Sequence, residues 1–289
     1  MKKGSPASVK AALKNVADNL SIKFQNITTR YFQERLLYRL ANSGYATNFF
    51  LKGGTLLYVF EGINCRPTVD IDMLASQISN DRQKIKQIFQ EICSLKYDDD
   101  CVIFDTETIE TDDIAENAKY SGVRVLIDVR LDTIKQRLQI DIGFGDIITP
   151  APTKLAYPVL LDDLEKPEIN AYSIETIIAE KFQAMIRLGV FNSRMKDFYD
   201  VYILLKNKQI NEETLQEAIF QTFKNRKTDF TKNHELFTEN FHQNPSRQLM
   251  WNAFLRKMKI TEDLNFPFVI KTILNKLQPV YLHLATLAR

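Results

Sequence analysis

The chain changes its period in the middle. Up to Phe144, short runs rich in Val and Ile alternate with helical stretches. Beyond a segment punctuated by Pro150, Pro152, Pro158 and Pro167, apolar residues recur at helical spacing almost to the end. In the first part, Tyr31, Phe32, Leu36, Leu37 and Leu40 mark a helix from about Thr29, with Gly44 as its stop. A second helix is predicted over 56–60, closed by Gly62. A third covers 81–95, where Ile85, Ile88, Phe89 and Ile92 stand at i, i+3, i+4 and i+7. Strands are predicted over 48–51, 69–74, 101–109, 123–131 and 138–144, and the first 25 or so residues read as a weakly amphipathic lead-in. Strand, helix, strand, helix and then strands predict an α+β domain with a mixed sheet over 1–165. A helical domain is predicted over 166–289, opening with helices over 173–188 and 193–205.

At 289 residues, 45% hydrophobic and 26% charged, the chain has the composition of a soluble globular protein. No apolar run approaches the roughly 20 residues that cross a bilayer. Met1-Lys2-Lys3 is basic, but Lys14, Asn15, Asp18 and Asn19 interrupt the next stretch, a poor signal peptide, so a cytoplasmic protein is expected. Cys65, Cys93 and Cys101 form no C-x-x-C pair and indicate neither a disulfide framework nor a zinc site. His234, His242 and His283 lack a metal-ligand spacing and read as surface or packing residues. The net charge of +2 is uneven: residues 206–289 hold 13 Lys and Arg against 8 Asp and Glu, a net of +5. That distribution suits a surface for a polyanion, and equally an ordinary solvated face.

Val69-Asp70-Ile71-Asp72-Met73 carries the most chemistry. On a strand Asp70 and Asp72 share one face, about 7 Å apart, while Val69, Ile71 and Met73 point to the core. Two like charges so placed repel, and a divalent cation relieves them. Mg²⁺ takes one or two carboxylates plus phosphate oxygens, so the pair suits Mg²⁺–nucleotide chemistry; two harmless solvent-facing aspartates are the plain alternative. Gly53-Gly54-Thr55 stands where a strand becomes a helix. Glycines there admit a ligand to the backbone, and the helix start offers N–H groups to phosphate; a tight turn with Thr55 as N-cap would leave the same trace. Lys52 either touches a phosphate or ends a strand. A third acid is available in Asp141, opposite the face of Leu138, Ile140, Ile142 and Phe144 with Gly143 leaving space beside it, or in Asp128; periodicity excludes neither.

A glycine turn, a helix, D-x-D on a strand and one later acid together resemble the minimal nucleotidyltransferase of the DNA polymerase β superfamily. Five blocks in order make the chain similar to the AbiE/AbiG-type toxins over roughly 50–205. They are Leu51-Lys52-Gly53-Gly54-Thr55, Arg66-Pro67-Thr68-Val69-Asp70-Ile71-Asp72 and Ile140-Asp141-Ile142-Gly143-Phe144-Gly145-Asp146, then Ile178-Ala179-Glu180-Lys181-Phe182-Gln183-Ala184 and Arg194-Met195-Lys196-Asp197-Phe198-Tyr199-Asp200. The resemblance favours Asp141 over Asp128.

In the helical part, Lys181 lies on the apolar stripe of Ile174, Ile177, Ile178 and Met185, where an ammonium snorkels or finds an anion. Methionine there is expected to leave stability intact. Glu180 faces solvent or pairs with a base. Ser193 reads as an N-cap, Asp197 as a first-turn acid and Asp200 as a pair for Lys196. The resemblance implies that Lys181 contacts nucleotide phosphates, that Asp197 lies near the nucleotide, and that Arg194 and Lys196 contact nucleotide or RNA. Lys224, Arg226, Lys227 and Lys232, interleaved with Phe223 and Phe230, suit RNA or are solvated surface; Trp251, Phe254, Leu255 and Met258 read as core.

The resemblance thus implies a toxin that moves a nucleoside monophosphate from NTP to an acceptor such as tRNA and releases pyrophosphate, neutralised by a cognate antitoxin. Asp70, Asp72 and Asp141 would hold Mg²⁺ or Mn²⁺, Asp141 would also take the acceptor's proton, and Gly53, Gly54 and Thr55 would cradle phosphates. A small-molecule acceptor such as an aminoglycoside, or a catalytically silent binding module, are the competing readings.

Overall fold

The computed structural model describes residues 4–116 and 120–287, so the basic start Met1-Lys2-Lys3 lies outside it. The chain forms two compact units. One comprises the chain up to Gly145 with Thr153–Ala171; the other comprises Asp146–Pro152 with the chain from Tyr172 onward. The expected division at 165/166 falls inside the first unit, before its last strand.

The first unit contains helices α1 (Pro6–Asn19), α2 (Phe24–Ala41), α3 (Gly53–Glu61) and α4 (Arg82–Ser94). Its strands are β1 (Phe49–Lys52), β2 (Asp70–Ala75), β3 (Ile103–Glu116), β4 (Tyr120–Leu131), β5 (Ile134–Phe144), β6 (Thr153–Ala156) and β7 (Glu168–Ala171). They form one seven-stranded sheet in the order β3-β4-β5-β2-β1-β7-β6. It is mixed, as predicted: β2 runs parallel to β5 and β1 to β7, while the other neighbours are antiparallel. The predicted stripe of α4 is its buried face, with Phe89 packed edge-on to Phe49 of β1 at 5.7 Å. Helix α2 carries Arg39 into the interior, where it pairs with buried Asp100 at 2.6 Å and reaches the Val102 carbonyl. That satisfies two groups that would be costly to bury alone.

The structure departs from the sequence reading in four places here. The lead-in contains α1, opened by Ser5 as N-cap to the Ser8 amide. Strand β2 begins at Asp70, so Val69 is 72% exposed and not in the core, whereas Ile71 and Met73 are buried. Strand β3 continues through Glu110, Thr111, Asp112 and Asp113, because β4 supplies its backbone partners after a register shift between Asp105 and Glu110. Strand β6 lies within the proline-rich segment and β7 directly after Pro167; at four residues each they are too short to show a period.

The second unit is helical: α5 (Ile174–Leu188), α6 (Met195–Asn207), α7 (Glu212–Asn225), α8 (Glu239–His242), α9 (Pro245–Met258) and α10 (Phe266–Leu287). Ser173 caps α5 by accepting from the Thr176 amide. Both hydroxyls also donate to the Thr149 carbonyl, and the Thr149 amide donates back to Thr176 Oγ1. These bonds fasten the 146–152 excursion to the helix start. Ser193 is not the cap of α6: Arg194 occupies that position without a side-chain cap, and Asn192 Oδ1 accepts from the Arg194 amide. Trp251 is fully buried, its indole N–H donating to the Leu264 carbonyl at 2.7 Å. Among the described residues no helix is long and apolar enough to cross a membrane.

Candidate active site

The carboxylate site is built by register. Asp72 on β2 has Asp141 on β5 as its Cα partner, and Asp70 has Gln139. Asp70 and Asp72 are two apart on one strand, so they share Asp141's face. One oxygen from each of the three carboxylates lies within 4.8 Å of the others, and all three side chains are half-buried. Asp128, the rival third acid, stands elsewhere on the sheet: its Cα partner is Arg137, with which it pairs at 3.0 Å on an exposed part of the surface.

The row of partners extends further. Lys52 of β1 stands across from Asp72, and Arg124 of β4 across from Asp141. Four adjacent strands therefore present Lys52, Asp72, Asp141 and Arg124 in line, two anions flanked by two cations. Arg124 makes a two-pronged bond to Asp141, Nε to Oδ1 and Nη2 to Oδ2, each at 2.8 Å. Those bonds push the Arg124 guanidinium further above its ordinary range. Gln139 Nε2 also donates to Asp141, and the Thr68 hydroxyl donates to Asp70 Oδ1 at 2.9 Å. The Lys52 ammonium lies over Gly143: a Cβ there would be 3.7 Å from Nζ, so Lys52 shares the space that Gly143 leaves beside Asp141.

The glycine turn abuts this site. Gly53 has φ +68°, and a Cβ on it would fall 1.9 Å from Asp72 Oδ2. Only glycine fits both the left-handed backbone and the carboxylate beside it. A Cβ on Gly54 would meet Thr68 Oγ1 at 2.9 Å. Thr55 is fully buried, and its hydroxyl donates to the Asp70 carbonyl at 2.8 Å. It ties α3 to β2, and what it can offer a phosphate is its backbone N–H. It is not the N-cap, a position held by Lys52.

The helical unit holds a separate ionic cluster. Lys181 Nζ bonds Asp197 Oδ1 at 2.7 Å and Asp200 Oδ2 at 2.9 Å, and Arg194 Nε bonds Asp197 Oδ2 at 2.5 Å. Both acid side chains are 1% exposed. Burial alone would raise the Asp197 carboxyl; the charges of Lys181 and Arg194 outweigh it and bring it down to about 2. Lys181 thus has two anions on its apolar stripe, and Asp200 pairs with Lys181 rather than Lys196, which is exposed. Glu180 pairs with Arg226 at 2.9 Å, and Arg226 also bonds Asp146. Arg226 is therefore held internally and drops out of the expected RNA cluster. Phe223 drops out too, fully buried and stacked on Phe230 at 4.8 Å. Lys224, Lys227 and Lys232 remain exposed.

Sequence reasoning missed Arg124 and Gln139. Alternation in β4 places Arg124 on a face, but only the pairing of β4 with β5 puts it beside Asp141.

No curated protein matches the chain. Two crystal structures share its fold: a "putative nucleotidyltransferase" from H. pylori and JHP933 from Helicobacter pylori. Each is 15% identical and covers 91% of this chain, with TM-scores of 0.53 and 0.50, and the match takes in 97% and 95% of their own chains. The family described as nucleotidyl transferase AbiEii toxin, type IV toxin–antitoxin system, matches residues 35–274, which contain the glycine turn, all three aspartates and the Lys181 cluster. The chain belongs to the AbiEii family of nucleotidyltransferase toxins.

Proposed function

We propose that this nucleotidyltransferase transfers a nucleoside monophosphate from an NTP to an RNA acceptor, a tRNA, with a divalent cation held by Asp70, Asp72 and Asp141. The observation that carries the reading is the convergence of three carboxylate oxygens within 4.8 Å beside a turn where only glycine fits. An all-oxygen, anionic donor set suits Mg²⁺ or Mn²⁺ rather than a softer metal. When bound, the cation polarises phosphate oxygens and offsets the charge of the carboxylates.

The chain's own groups supply the rest. The N–H groups at the start of α3 would face phosphate, since a helix's first turn leaves them without intrahelical partners. Asp141 would accept the proton of the acceptor hydroxyl as its oxygen bonds to the α-phosphorus. The bond to the β-phosphate oxygen breaks, and pyrophosphate leaves. On the family's pattern we extend the proposal to Lys181 and Asp197 as catalytic residues and to Lys181, Arg194 and Lys196 as nucleotide contacts. The net charge of +5 over 206–289 supports a polyanionic acceptor. The same family supports a cognate antitoxin as partner and the cytoplasm as the place of action.

The test is incubation of the protein with each labelled NTP, Mg²⁺ or Mn²⁺, and total RNA. One or two of the four nucleotides should label a band of tRNA size, and Asp70→Asn should label none. Absence of RNA labelling with all four removes the RNA acceptor and leaves a small molecule of the aminoglycoside kind as the leading idea.

A further inference from the structure

We infer that Arg124 is the resident counter-cation of the carboxylate site, holding Asp141 away from a metal until nucleotide arrives. The inference rests on the reading that Asp70, Asp72 and Asp141 bind a divalent cation, and goes beyond it.

Three carboxylates on one face of a sheet repel one another, and something must offset their charge when no metal is bound. Arg124 does so. It grips both oxygens of Asp141 at 2.8 Å, while Gln139 bonds the same group from the side and Lys52 stands at the other end of the row. A planar two-pronged bond is the strongest geometry a guanidinium makes with a carboxylate. A dication seated on Asp141 would meet that guanidinium at close range. Either the fork lets go, or the cation remains on Asp70 and Asp72 alone.

Letting go needs another anion for the fork. Arg124 is free to move in part, its side chain 38% exposed against 18% for Asp141. A triphosphate offers oxygens of the spacing a guanidinium prefers. Arrival of nucleotide therefore both supplies phosphate ligands to the cation and gives Arg124 a new partner, freeing Asp141. Arg124 is a positioning residue in this scheme, acting through Asp141. Asp112 of β3, the Cα partner of Arg124 on its other side, would be a resting place that needs no nucleotide.

The discriminating experiment uses two readouts with opposite expected signs on the full chain. Mn²⁺ binding without nucleotide is followed by the free-ion electron paramagnetic resonance signal for wild type, Arg124→Gln, Arg124→Lys and Asp72→Asn. Binding of non-hydrolysable α,β-methylene analogues of the four NTPs is then measured at saturating Mn²⁺. Arg124→Gln should bind Mn²⁺ alone about tenfold more tightly and the analogue at least several-fold more weakly, with Arg124→Lys between it and wild type. A residue that merely supports the fold would weaken both. Unchanged or weaker Mn²⁺ binding in Arg124→Gln overturns the inference while leaving the metal site standing, provided Asp72→Asn loses Mn²⁺. Unchanged analogue binding overturns the coupling and favours Asp112 as the resting place. Equal Mn²⁺ binding by wild type and Asp72→Asn overturns the metal reading and this inference with it.

Discussion

At Gly53 a single methyl group would land on the Asp72 carboxylate, so this position and Asp72 respond to substitution in opposite ways. Gly53→Ala adds a steric clash to a left-handed backbone and should cost about 2 kcal/mol, read as a lower melting midpoint together with lost transfer. Asp72→Asn removes one of the mutually repelling charges, so its midpoint should equal or exceed wild type while transfer disappears; a folded Asp72→Asn that turns over normally would sink the site. Lys181 behaves differently from its sequence context. On an apolar stripe it reads as replaceable by methionine, but the structure buries Asp197 and Asp200 against it. Lys181→Met should therefore cost about 3–5 kcal/mol, the penalty for stranding buried carboxylates. Lys181→Arg should recover most of that, and chemical denaturation of the three proteins decides. The Asp197 carboxyl, depressed to about 2, contributes stability that is complete above the ordinary carboxylate range near 4. That contribution is lost as pH falls toward 2, and Asp197→Asn should flatten that part of an acid-unfolding curve.

Among the elements, those that could be read in advance were the ones with a period long enough to count. Helix α4 shows its buried stripe directly in Ile85, Ile88, Phe89 and Ile92, and α5 announces itself with Ser173. Asp70 and Asp72 were legible as a same-face pair because alternation along one strand needs no knowledge of neighbours. Asp141 was legible as a candidate but not separable from Asp128: both alternate correctly, and the choice lies in which strand pairs with which. Residue patterns within a strand do not encode that pairing. Arg124 escaped notice for the same reason, and β6 and β7 because four residues carry no period. One of these short strands matters more than its length suggests. β7 is the second neighbour of β1, the strand that ends at the glycine turn. A fragment of residues 1–165 leaves that side of β1 unpaired and should self-associate on size exclusion; one of residues 1–171 restores the pairing and should remain monodisperse. Equal behaviour of the two would show that β7 is dispensable to the sheet.

Across the molecule, charge is distributed so that the basic excess follows residue 205, but the structure narrows which cations are available to a partner. Arg226 is bound to Glu180 and Asp146, leaving Lys224, Lys227 and Lys232 within reach of solvent. Neutralising these three should weaken RNA binding and reduce its logarithmic salt slope by roughly one unit for each phosphate they neutralise in the wild type, while nucleotide binding stays unchanged. A slope identical to wild type would mark them as solvated surface. The interleaving of the two units also bears on how the protein is made. The strands that carry Lys52, Asp72, Arg124 and Asp141 are complete at Phe144, but β7 follows β1 by more than a hundred residues, after an excursion belonging to the other unit. At translation speeds of roughly 5–20 residues per second, β1 stays bare on one side for on the order of ten seconds in every newly made chain. During that interval the carboxylate face has all its strands beside an open strand edge, the kind of edge that pairs with whatever extended chain it meets.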